Sequence, residues 1–210
     1  MARDIRLIIA SAANLSLSAA GLVTRFADSW EGIVTGNNEP DFAAALLRHF
    51  ADLRDRRHGD AETRPEKERL FAEATALLDP YARQVLDEVN VFLLLGTGEV
   101  SGTGVRRSPD GGVAAVWSLS WPQQRTAGID PVVIRASYGA GFHHPHLGGG
   151  TVGEWPLNVF TEEQAAAELP TLRAIAAADV HNLVFQQDYR IIPATVAGAT
   201  GQGPAAVPEP

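Results

Sequence analysis

Gly111-Gly-Val-Ala-Ala-Val-Trp-Ser-Leu-Ser-Trp-Pro122 alternates along its second half: Trp117, Leu119 and Trp121 fall on one side of an extended chain, Ser118 and Ser120 on the other. A period of two marks a β-strand with one covered face, an arrangement that antiparallel sheets adopt and fully buried parallel strands do not show. Ser108-Pro-Asp-Gly-Gly112, just before it, is turn chemistry. The apolar run Val91–Leu95 on the far side of that turn is therefore predicted to be a partner strand, broken into a further strand if Gly102 interrupts it. Val132-Val-Ile134 gives the next strand. Gly96-Thr-Gly98-Glu-Val-Ser-Gly102 has the wrong spacing for a dinucleotide fingerprint and is read as a bend or bulge.

Upstream of the strands the period is helical. Leu7, Ile8, Leu15, Leu22 and Phe26 predict one long helix. A second starts at Asp41, with Phe42, Leu46, Leu47, Phe50 and Leu53 as its apolar stripe and the mixed-charge run Arg54–Asp60 as a solvated end. A third opens near Pro65, buries Leu70, Phe71, Ala74, Leu77 and Leu78, and is expected to be interrupted at Pro80. Downstream, Thr161-Glu-Glu163 is a helix start, and Pro170 either kinks that helix or begins another. The fold class is thus α+β: an antiparallel four-stranded meander with an N-terminal helical extension (residues 1–64), a core domain (65–193) closed by a C-terminal helix, and a tail (194–210) whose small residues predict disorder.

The formal charge of -8 argues against binding nucleic acid or anionic membrane surfaces, and the 45% apolar, 20% charged composition is that of a globular protein. Ile5–Val23 is apolar after Arg3 and Arg6, but Asn14 and several serines dilute it, so a cytoplasmic protein is expected. With no cysteine, the chain has no thiolate metal ligand, disulfide or thiol nucleophile.

Between the sheet and the last helices runs Gly139-Ala-Gly-Phe-His-His-Pro-His-Leu-Gly-Gly-Gly-Thr-Val-Gly-Glu-Trp-Pro156, which holds His143, His144 and His146, half of the chain's six histidines. Imidazole changes charge near neutrality and ligates metals, so recognition or chemistry is expected there. One reading is a metal site in which two or three of His143, His144 and His146 act with Glu154 or His181, a donor set suited to zinc or iron. Acid–base chemistry is the other, with Glu154 or Asp179 orienting a histidine and Ser137, Tyr138 or Thr151 as nearby hydroxyls. Neither a helical His-x-x-x-His pair nor a Gly-x-Ser-x-Gly elbow fixes the geometry. Trp117, Trp121 and Trp155 suit a core more than an aromatic platform. His181-Asn182 reads as a hydrogen-bonding pair on the last helix, and His49 and His58 as charged helical surface.

Taken together, Gly111 to Pro122, then Ile129-Asp-Pro-Val-Val-Ile-Arg135, His144-Pro-His-Leu147, the glycines and Trp155-Pro-Leu-Asn158 resemble the core of the ubiquitin-conjugating enzyme fold over about Val89 to Phe185. In that family a strand and a proline-containing turn lead to a His-Pro-Asn tripeptide, a glycine turn, the catalytic cysteine and a helix. The helix from Glu66 to Leu78 would match the family's first helix. This chain has His146 at the asparagine position and Gly153 or Glu154 near that of the cysteine, and neither of the latter can carry a thioester. The resemblance implies a non-catalytic protein-interaction module without a cofactor that binds a ubiquitin-like protein or another conjugation-system partner. The apolar N-terminal helices are a candidate surface for that partner or for self-association.

Overall fold

The computed structural model describes residues 41–199, so the helix expected over Leu7–Phe26 lies outside the described residues. Everything below belongs to the unit that begins at Asp41. This unit is α+β, with a mostly antiparallel sheet of six strands flanked by helices.

Helix α1 spans Asp41–Asp55. Helix α2 spans Arg64–Leu93, and at its start the Glu66 carboxylate accepts from the Thr63 N–H at 3.0 Å and from its hydroxyl at 2.7 Å. Thr63 thereby supplies the entry signal that Pro65, already bent for a first turn, extends. Contrary to expectation, Pro80 does not end this helix. It lies on the exposed side, where the carbonyl one turn back is free to meet water, while Leu78 and Ala82 on either side are fully buried.

The strand expected over Val91–Leu95 is also corrected: Val91–Leu93 are the last residues of α2. Asn90 terminates the helix. Its carbonyl accepts from the N–H groups of Leu94 and Gly96, and its side chain both accepts from Gly98 N–H and donates to Gly98 C=O. That pairing turns the chain into β1 (Glu99–Gly102), and it leaves Val91, Phe92 and Leu95 exposed with Leu94 buried.

Strands β2 (Arg106–Arg107), β3 (Val113–Ser120), β4 (Val132–Tyr138), β5 (His146–Gly149) and β6 (Glu154–Pro156) follow. The order is β1-β3-β4-β5-β6, with β2 beside β3 as the second half of the edge strand that begins with β1. The expected four-stranded meander is therefore a sheet of six strands: the edge breaks after Gly102, and the histidine loop folds into a hairpin, β5–β6. In β3 every second residue from Val113 is buried, as the alternation required. Helix α3 (Pro122–Ala127) links β3 to β4.

Thr161 caps α4 (Glu162–Ala167), accepting from Gln164 N–H, and Pro170 sits in the first turn of a separate helix, α5 (Leu169–Gln186). A 3-10 turn at Tyr189–Ile191 and a short helix α6 (Pro193–Ala199) come next, so the first residues of the predicted disordered tail are helical. Ile191 and Ile192 anchor that segment in the core.

Helices α2 and α5 pack on each other and on one face of β3 and β4. The core joins Phe71, Leu78 and Leu86 of α2 to Trp117 and Leu119 of β3, Ile134 of β4 and Leu172 and Ile175 of α5. Each such large side chain contributes roughly 2 kcal/mol by leaving water. Trp117 and Trp121 belong to this core and satisfy their indole N–H groups, on Asp79 Oδ1 at 2.7 Å and on Ile191 C=O at 2.6 Å.

Candidate functional site

The histidine segment is held at both ends. Where β4 ends, Arg64 at the start of α2 donates to the carbonyls of Tyr138 (2.8 Å) and Gly139 (2.9 Å) with its guanidinium over the Tyr138 ring. At the far end Asp179 of α5, almost fully buried, accepts from the Thr151 N–H and hydroxyl, both at 2.6 Å, and from Val133 N–H at 3.1 Å. Asp179 is thus a brace for the Gly150-Thr151 turn; it orients Thr151 rather than a histidine. Crowding favours glycine at position 149, where a Cβ would stand 2.5 Å from a Val152 methyl and 3.2 Å from an Ile175 methyl.

Within these braces Pro145 and Leu147 are buried, and Leu157 N–H donates to Pro145 C=O at 3.0 Å, closing the His-Pro-His turn onto the hairpin. His144 and His146 lie side by side with ring centres 4.5 Å apart. His49 from α1 meets His144 edge-on at 4.3 Å, and Phe142 meets His146 at 4.9 Å. Glu154, across the hairpin, places Oε2 3.8 Å from His146 Nδ1. Ser137 stands opposite His146 in the β4–β5 ladder. Three imidazoles and a carboxylate are thus brought together by α1, β5 and β6.

The other named histidines go elsewhere. His143 is exposed and faces a crevice formed with Asp52, Leu53, Arg56 and Arg57. His181 stacks on Phe185 and contacts Asn182, whose amide donates to Thr151. Trp155 is partly exposed on β6, apart from the two core tryptophans.

His49 and His58 are corrections to the sequence reading: both are buried, not surface. His58 sits in a tight turn after α1, exchanging backbone hydrogen bonds with Ala61, and the Phe160 ring covers it at 5.0 Å. Its Nδ1 approaches Asp52 Oδ2 to 3.7 Å; that oxygen also accepts from Gly59 N–H and from the buried Asn158 amide. On α1, conversely, the apolar residues Leu47, Phe50 and Leu53 face out, and the helix meets the hairpin through His49 and Asp52.

Burial pushes both His58 and His144 down to about 4, and the neighbouring imidazoles add to the effect on His144. His49 is lowered by burial and by His146, against the pull of Asp52; His146 is lowered by burial, with Glu154 opposing. The cluster is therefore neutral near pH 7. Neutral imidazoles pack closely, can ligate metal and are weak bases. His144 Nδ1 is buried without a hydrogen-bond partner within the protein, as are His58 Nε2 and Asn158 Oδ1. Among the described residues no group of three or more His, Asp or Glu has the arrangement to hold a metal ion. Among them, too, no helix is long and apolar enough to cross a membrane.

No family model, curated protein or solved structure matches the chain.

Proposed function

We propose that this protein is a non-catalytic interaction module on a scaffold resembling the ubiquitin-conjugating fold, and that it binds a ubiquitin-like protein. The observation that carries the reading is the hydrogen bond from Leu157 N–H to Pro145 C=O, which makes the His-Pro-His segment packed scaffold around the β5–β6 hairpin. Support comes also from the order of elements: a long helix, an antiparallel sheet, the His-Pro-His turn, the hairpin and two closing helices. Near the position of the family's nucleophile the hairpin carries Glu154, whose exposed carboxylate cannot form a thioester. Val91, Phe92 and Leu95, exposed together at the end of α2, offer an apolar surface for a protein partner.

The test is a titration of isotope-labelled protein with ubiquitin and a panel of ubiquitin-like β-grasp proteins, followed by amide chemical shifts. Saturable, localised shifts with at least one of them, weakened by Phe92→Ser, are expected. Absence of any saturable shift across the panel overturns the reading.

A second reading, a metal-dependent enzyme, draws on the unpartnered Nδ1 of His144 beside His49 and His146. Zinc or iron coordination would require these rings to turn out of their present edge-on packing, with Glu154 as the oxygen ligand. Metal analysis of the purified protein and of His146→Ala decides it: stoichiometric metal lost in the variant supports this reading, and metal-free protein removes it.

A further inference from the structure

A crevice of about 520 Å³ opens between α1, β6 and the α4–α5 junction. That volume falls within the roughly 300–1,000 Å³ typical of small-molecule sites. Leu46, Trp155, Pro156 and Pro170 give it apolar walls, and Arg48 and Glu168 bring its two charged groups. Arg48 Nε is buried and has no hydrogen-bond partner within the protein. Glu168 is 9% exposed; burial raises its pKa, while a hydrogen bond from the Thr171 side chain and the charge of Arg48 oppose the rise.

We propose that this crevice binds an uncharged amide bearing an apolar substituent, its carbonyl accepting from the Arg48 guanidinium and its N–H donating to the Glu168 carboxylate. The Arg48 side chain has a donor with no acceptor in the protein, so a ligand carbonyl beside the guanidinium recovers interaction energy that an apolar group there does not. One cation and one carboxylate already balance in the crevice. An added anion would face Glu168 and an added cation would face Arg48, in surroundings where like charges are poorly screened. An amide offers acceptor and donor without net charge, and its apolar substituent covers Leu46, Trp155 and the two prolines. The two polar anchors lie on different elements, so an occupant also ties α1 to the α4–α5 junction. Binding here is independent of whether the fold takes a ubiquitin-like partner.

Three probes with the same leucine side chain and different charge test the site at pH 7: N-acetyl-leucinamide, N-acetyl-leucine and leucinamide. Trp155 fluorescence, with Trp155→Phe as the blank, and amide shifts of Trp155 and Thr171 report binding. The neutral probe should saturate with a dissociation constant near about 1 mM, the order expected of a dozen well-placed heavy atoms. The two charged probes, and the variants Arg48→Met and Glu168→Ala, should each bind about 5- to 10-fold more weakly, the equivalent of one lost hydrogen bond. Glu168→Gln keeps an acceptor oxygen and should retain most of the affinity, which separates a lost contact from a lost fold, as does circular dichroism of each variant. Equal affinity for all three probes, tighter binding of the carboxylate, or no saturation by about 20 mM of the neutral probe overturns the proposal.

Discussion

The guanidinium of Arg64 lies 3.5 Å from the centre of the Tyr138 ring while its nitrogens donate to the carbonyls of Tyr138 and Gly139. The first turn of α2 is thereby bolted to the point where β4 hands the chain to the histidine segment. Its Nε pairs with Glu68, which also binds Arg107 of β2, so one carboxylate ties this bolt to the sheet edge. Arg64→Met removes a ring contact and three charge-assisted hydrogen bonds, to Tyr138, Gly139 and Glu68, and should cost about 2 kcal/mol. Urea unfolding measures it, and hydrogen exchange should quicken at Gly141–His143 before it does in β3. Uniform change across the molecule would mean that Arg64 does not act on this segment.

Asp179 serves three donors, two on Thr151 and one on Val133, from an almost fully buried position on α5. Asp179→Ala takes the acceptor away from three part-buried donors, at about 3 kcal/mol in all. For a domain of this size that lowers the melting temperature by about 6–12 °C. A loss of under about 2 °C would show that the Gly150-Thr151 turn does not need its brace.

The alternation from Val113 to Trp121, the turn before it, Pro65 in a first helical turn and the helix start at Thr161 were legible because each signal is complete within a few residues. Val91–Leu95 was not, since a short apolar run reads equally as a strand or as the end of a helix; what decides is the side chain of Asn90 reaching forward to Gly98. Strand β5 was hidden by its glycines, which have low β-propensity yet suit the crowding of Gly149 by Val152 and Ile175, and β6 by being only three residues long. His144, His146 and Glu154 could be named from their sequence and are indeed neighbours. The third imidazole left a fainter signal: position 49 continues the helical stripe 42, 46, 53, so a polar residue stood in an otherwise apolar row. Asn158 and Asp52, which link α1 to the chain beyond β6, are 106 residues apart and no local pattern joins them.

Pro80 is a direct case of tertiary packing overriding a local rule. The helix runs through it because Leu78, Ala82, Val85 and Leu86 are all buried on the core side and hold both halves in line. Pro80→Ala restores the missing N–H and removes the ring's clash with the preceding turn, offset by a more flexible unfolded chain. A net gain of about 1–2 kcal/mol in unfolding free energy is expected. A loss of stability would mean that the proline ring has a packing role that outweighs its backbone cost.

His58 gives the fold a defined acid sensitivity. Burial lowers its pKa from 6.5 to about 4, with Lys67 and His49 adding to the shift and Asp52 opposing it. Between those two values the unfolded chain binds a proton at this ring that the folded chain does not, so stability falls as pH drops through the window and levels off below it. The span corresponds to roughly 3 kcal/mol for this almost fully buried side chain. His144, also at about 4, adds a contribution of the same sign. Carboxylates act lower: Glu88, held near 2 chiefly by its hydrogen bond from Arg173, contributes stability that disappears only as pH falls from its ordinary value toward that level. Urea unfolding of the wild type at pH 7, 6 and 5 should therefore show a steady decline, and His58→Gln, which cannot take up the proton, should show a clearly shallower one even if it starts less stable. Parallel slopes for the two proteins would mean that the ring at position 58 is as accessible to protons when folded as when unfolded.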